Sequence, residues 1–112
     1  MKITDIIAAL DLKVISGNNG LSNEVTGGYV SDLLSDVIGN AKEGQIWITL
    51  QTHQNIIAVA SLKDISAIII VKGFIPEADT IEKSNAENIP VLGTDQDTFN
   101  ITGHLFELLK KE

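Results

Sequence analysis

At 112 residues the chain has room for one hydrophobic core and not for two. A net charge of −7, with eight scattered Lys and no Arg, excludes the clustered cationic surface that nucleic acid and anionic membranes require. The absence of Cys excludes disulfides, thiolate nucleophiles and cysteine metal sites.

Hydrophobic residues make up 44% of the chain, and only five residues are aromatic, so aliphatic side chains must build the core. Met1 to Asp5 carries an acid at position 5 and no long apolar run, unlike a signal peptide. The longest apolar stretch, Ala67 to Val71, is far too short to span a bilayer. These features lead us to expect a cytoplasmic protein.

Thr4 is placed to cap a first helix that carries Ile6, Ile7 and Leu10 on one face. Leu12 to Ile15 reads as a short strand, and Gly17-Asn18-Asn19-Gly20 as a loop. Asn23 to Thr26 reads as another short strand that enters the glycine pair Gly27-Gly28. Ser31 or Asp32 suits the N-cap of a second helix containing Leu33, Leu34, Val37 and Ile38, which ends at Gly39-Asn40. After a turn at Lys42-Glu43-Gly44, residues Gln45 to Leu50 read as an interior strand with Trp47 in the core or at an interface.

Asn55 to Lys63 has the wide apolar stripe of a buried helix. Ala67 to Val71, apolar on both faces, is the clearest strand and has the character of a parallel strand covered on both sides. Pro76 to Asn88 reads as a polar helix with proline at its first position, Ile89 to Gly93 as a strand, and Asp95 to Lys110 as the last helix. From residue 45 onward, strands and helices alternate at a spacing that predicts right-handed βαβ crossovers. The expected fold is α/β, with a largely parallel sheet flanked by helices.

Two segments carry chemistry. At Thr26, Gly27 and Gly28 the glycines permit positive φ and close backbone approach. The segment reads either as a nest of N–H groups for an anion or as a tight bend from strand to helix. Thr49, Gln51, Thr52 and His53 fall where a strand ends and a helix begins, a position at which open α/β sheets bind ligands. Their hydroxyls, amide and imidazole suit a neutral ligand or the polar edges of a nucleotide. The alternative is a plain helix cap at Thr52 with an exposed His53.

His53 and His104 show no metal-ligand spacing, and His104 reads as a surface residue. His53 as phospho-acceptor or general base has no recognisable partner. The acid pairs Glu77 with Asp79 and Asp95 with Asp97 read as charges favouring helix N-termini. No catalytic residue, cofactor or metal is assigned.

The run Glu24-Val25-Thr26-Gly27-Gly28, continued by Tyr29-Val30-Ser31-Asp32-Leu33-Leu34-Ser35-Asp36, resembles the DRTGG domain. The resemblance extends through Ala41 to Gly44, Trp47 to His53, Ala67 to Val71 and Ile89 to Leu92, so one DRTGG-like domain is expected over residues 1–112. It is similar in particular to stand-alone members related to the N-terminal domain of HPr kinase/phosphorylase. A fold-level similarity also reaches the N-terminal domain of Mur ligases. Glu24 and Val25 stand where the family name has Asp and Arg, so an anion held by that arginine in a relative is not held the same way here.

The resemblance implies a regulatory, non-enzymatic module of the kind that accompanies CBS domains, phosphotransacetylases and pyrophosphatases. The kinase activity of the related enzyme belongs to a separate P-loop domain, and no G-x-x-x-x-G-K-[ST] sequence occurs here. The expectation is a homodimeric module that senses a nucleotide or small metabolite. The rival expectation is a protein-interaction subunit that partners a separately encoded kinase or phosphatase and binds no small molecule.

Overall fold

The computed structural model describes residues 1–112. In chain order the elements are α1 (Ile3–Leu10), β1 (Lys13–Ser16), β2 (Gly27–Val30), α2 (Leu34–Asn40), β3 (Gln45–Thr49), α3 (Asn55–Leu62), β4 (Ala67–Ile70), α4 (Ala78–Glu87), β5 (Val91–Gly93) and α5 (Thr98–Lys110). The five strands form one sheet in the order β1-β5-β4-β3-β2. Strands β2 to β5 are parallel neighbours, and β1 joins β5 antiparallel. The expected α/β class and largely parallel sheet are both present, with one antiparallel pair at the edge.

Alternation along the strands divides the core in two. Ile46, Ile48, Ala67, Ile69 and Leu92 point to the face covered by α1 and α5, where Ile3, Ile6, Ile101 and Leu105 meet them. Trp47, Ile68, Ile70 and Val91 point to the other face, against Val37 of α2 and Ile56, Ile57 and Ala60 of α3. A sheet buried on both sides explains why β4 reads Ala-Ile-Ile-Ile with no polar alternation. Each fully buried isoleucine contributes about 1.5–3 kcal/mol of hydrophobic stabilisation.

Because β1 and β2 occupy opposite edges, the chain between them must cross the whole sheet. It does so beneath the amino ends of the parallel strands. Ser66 Oγ donates to the Glu24 carbonyl, Asn23 Nδ2 donates to the Ser66 carbonyl (3.2 Å), and Thr26 N–H donates to the Gly44 carbonyl (2.9 Å). This strap passes so close to the end of α4 that a Cβ on Gly17 would overlap the Ile89 carbonyl, and one on Gly20 the Asn88 carbonyl. Gly17 also sits at φ 75°. These two glycines, and not Gly27-Gly28, are the ones that close backbone approach requires.

Several local expectations are corrected. Residues 23–26 form no strand beyond a single bridge between Lys2 and Glu24. Gly27 and Gly28 lie inside β2, paired to Gln45 and Ile46, and neither has positive φ. They form neither a bend nor a nest, because their backbone is committed to the sheet. Gly28 instead admits α5: a Cβ there would lie 3.3 Å from Leu105 Cδ2.

Helix α1 starts before Thr4, with the Lys2 N–H donating to the Asp5 carboxylate at 2.8 Å. Pairing of Ile3 and Thr4 with the strap sets that start. Helix α2 begins at Leu34 with Leu33 at its cap, since Asp32 is recruited by β3. Pro76 precedes α4, whose cap is Glu77. Helix α5 begins at Thr98 and is capped by Asp97, which accepts from Asn100 N–H at 2.8 Å.

Candidate functional site

Beyond the carboxyl ends of β2 and β3, polar groups tie two loops together. Trp47 is fully buried, and its Nε1 donates to the Ser31 carbonyl at 2.8 Å, which fixes the exit of β2. The next residue, Asp32, turns back towards β3. Its Oδ1 accepts from Thr49 Oγ1 (2.9 Å) and from Leu50 N–H (2.9 Å), while Gln51 Nε2 donates to its carbonyl (2.9 Å). Thr49 is 1% exposed, and its hydroxyl also accepts from Gln51 N–H at 3.2 Å. One buried hydroxyl thus joins both loops.

One strand residue away, the Tyr29 hydroxyl donates to the Asp36 carboxylate, 2.9 Å from each oxygen, and Asn40 Nδ2 donates to Asp36 Oδ1 at 2.9 Å. The hydroxyls of Ser31 and Tyr29 and the Asn40 amide hold the Asp36 carboxyl below the usual carboxylate range. The hydrogen bond that only the protonated phenol can donate to Asp36 pushes the Tyr29 phenol up, and desolvation and the Asp36 charge add to it.

From this knot the chain enters α3. The Thr52 carbonyl accepts from Thr80 Oγ1 (2.7 Å) and Glu77 N–H (3.1 Å), which anchors the segment to the start of α4. Gln54, not Thr52, is the N-cap of the helix, and the preceding His53 has an exposed ring whose Nδ1 accepts from Asn55 N–H at 3.1 Å. The backbone N–H groups of Thr52, His53 and Gln54 have no partner within the chain. Three successive free donors therefore precede a helix whose dipole adds positive potential.

The expected pocket does not assemble. Parallel pairing sets Gly27 beside Gln45 and Val30 beside Ile48, so Thr26, Gly27 and Gly28 lie at the amino end while Thr49, Gln51, Thr52 and His53 lie at the carboxyl end. Gly28 is level with Ile46, so three strand positions, roughly 10 Å, separate even the nearer glycine from Thr49. The parallel strands also follow one another without any reversal of order, so the sheet has no switch-point crevice.

Thr26 lines a different cavity of about 500 Å³ at the amino end, together with Glu24, Glu43, Asp64 and Glu87. Helices α3 and α4 end there, so their dipoles add to the four carboxylates. That environment repels anions, which removes the anion-nest reading of Thr26 to Gly28.

Asp32 is the residue whose role the sequence misassigns, as a helix cap where the fold makes it the acceptor for β3. Its acceptor role was visible as an Asp just after a strand, but the same position also suits a helix cap. No group of three or more His, Asp or Glu side chains is arranged to hold a metal ion. His104 lies exposed on α5, with Nδ1 2.9 Å from Gln96 Oε1. No helix is long and apolar enough to cross a membrane.

No match was found among curated proteins. Among solved structures, the fold is similar to that of the CBS and DRTGG domains of the regulatory region of Clostridium perfringens pyrophosphatase, complexed with its activator diadenosine tetraphosphate. The TM-score is 0.72 at 22% sequence identity, and the alignment covers 93% of this chain and 47% of that one. This chain therefore spans about half the length of the structure it matches. The DRTGG domain model matches residues 5–108, which takes in every strand and nearly all of the helical residues. The chain belongs to the DRTGG domain family.

Proposed function

We propose that this chain is a single non-catalytic regulatory domain, cytoplasmic and homodimeric, that senses a nucleotide or small phosphorylated metabolite at the carboxyl end of its sheet. The observation that carries this reading is the run of three unpartnered N–H groups at Thr52, His53 and Gln54, on the N-terminal side of α3. Backbone amides at such a position recognise phosphate without needing an arginine. Gln51, Thr52 and His53 supply side chains for the remaining polar edges of the ligand. Thr49 acts indirectly, by holding Asp32 and Gln51 in place. The family match supports a regulatory role, and a nucleotide activator is bound in the regulatory region of the similar pyrophosphatase.

A thermal-shift titration of the full chain with ATP, ADP, AMP and diadenosine tetraphosphate tests the reading. Ligand at 100 times its Kd adds about 2.7 kcal/mol to native stability and raises Tm by about 10 °C. Gln54→Pro removes one of the three donors at a position whose φ of −60° suits proline. That variant is expected to keep the unliganded Tm and lose the shift. A flat response to all four nucleotides, with a kinase or phosphatase retained on the chain through purification, would instead favour the interaction-subunit reading.

A further inference from the structure

The contact between His53 and Asn55 fixes where the imidazole carries its proton. The Asn55 N–H donates to His53 Nδ1 at 3.1 Å and has no other acceptor in the chain. An imidazole nitrogen that accepts a hydrogen bond carries no proton, so the neutral ring bears its proton on Nε2. A protonated ring has no acceptor left. Charging His53 therefore breaks the contact and frees the Asn55 N–H, beside the free N–H groups of Thr52, His53 and Gln54. His104, on the opposite face of the sheet, has the reverse arrangement. Its Nδ1 lies 2.9 Å from Gln96 Oε1, an acceptor, so that nitrogen donates and protonation leaves the contact intact.

We propose, resting on the ligand-sensing reading above, that His53 is a proton-operated latch that sets how many amides the start of α3 offers to a phosphate. With the ring neutral, three N–H groups are free. With the ring charged the Asn55 N–H joins them, and the imidazolium brings a full positive charge to the same place. Without an anion that charge faces the positive end of the helix dipole; with one, it is part of a common attraction. The anion and the proton therefore favour each other's binding. The charged side chains on the elements packed around the start of α3 are Asp32 and Asp36, at and just before α2, and Glu77, Asp79, Glu82, Lys83 and Glu87, along α4. Carboxylates and ammonium groups ordinarily hold their charge between pH 8 and pH 5.5, so the imidazole is the group that switches.

The test follows ring nitrogens and amide protection in the 15N-labelled full chain from pH 8 to pH 5.5, then repeats an ATP titration at both ends of that range. At pH 8 His53 is expected to be protonated on Nε2 and His104 on Nδ1. As the rings charge, Asn55 protection should fall about fivefold, the loss of one hydrogen bond. ATP should bind severalfold more tightly at the lower pH. His53→Gln, whose amide keeps a donor and an acceptor at every pH, should lose both responses, and comparison with it cancels the titration of ATP itself. A His53 protonated on Nδ1 at pH 8, or Asn55 protection that ignores pH, overturns the latch while the ligand reading stands. Equal pH dependence of ATP binding in wild type and His53→Gln overturns the coupling. No binding of ATP at either pH removes the ligand reading and the proposal with it.

Discussion

At the amino end of the parallel strands the chain closes on itself. A strap crosses beneath the sheet, glycines are forced by backbone contact, and Glu24, Glu43, Asp64 and Glu87 ring the cavity. At the carboxyl end the polar groups of Asp32, Thr49 and Gln51 satisfy one another, and the three amides before α3 are left over. Both ends have polar loops and room for solvent. The difference lies in what each leaves unpaired, namely carboxylates and helix C-termini at one end and N–H donors at the other. A cavity's size therefore says less about the ligand a sheet could take than the charge and direction of its free groups.

The largest effect expected from breaking this contrast is at the strap. Gly17→Ala puts a Cβ into the Ile89 carbonyl at a positive φ and should destabilise the fold by roughly 3 kcal/mol or more, measured by urea unfolding. A cost below about 1 kcal/mol would mean that the strap does not close the amino end.

At the other end, Asp32→Ala strips the acceptor from Thr49 Oγ1 and Leu50 N–H. It should cost about 1–3 kcal/mol, with faster amide exchange confined to Leu50 and Gln51. Faster exchange across the whole sheet would show that the knot is not local.

A smaller effect concerns Tyr29 and Asp36. The lowered Asp36 value means that its stabilisation is fully present above pH 3.8 and fades as pH falls through the native value. The raised Tyr29 value means that its stabilisation is fully present below pH 10.0 and is lost as pH rises past the native value. Tyr29→Phe should therefore lower Tm by a constant amount across neutral pH and converge with wild type at both extremes. Carbon-detected titration of the variant should show the Asp36 carboxyl moved up towards the ordinary range.

The smallest effect separates the paired glycines. Gly27→Ala meets only Gln45, at 3.8 Å, and should be neutral or stabilising by up to about 1 kcal/mol. Gly28→Ala meets Leu105 at 3.3 Å and should be mildly destabilising, as denaturant midpoints would show.

The order of elements from residue 45 onward was legible because each strand there is buried on both faces and each helix repeats its apolar residues. Trp47 in the core followed from the same pattern. What sequence could not show was long-range pairing. Gly27-Gly28 looks like a bend locally, and only its pairing with Gln45 and Ile46 makes it strand. Asp32 and Thr4 are both good caps by type, yet β3 recruits one and the strap pre-empts the other. At the candidate site Thr49 to His53 was legible as a polar run after a strand. The residue that organises it, Asp32, lies 17 positions from Thr49 and is joined to it only by the fold.

The central claim is that ligand recognition belongs to the carboxyl end and the α3 amides. It is tested most directly by titrating the 15N-labelled chain with ATP and following its amide resonances. The account predicts that the largest shifts fall on Thr52, His53 and Gln54, with smaller ones on Gln51 and Asp32. Shifts centred on Glu24, Thr26, Glu43 and Asp64, or none at millimolar ATP, would contradict it.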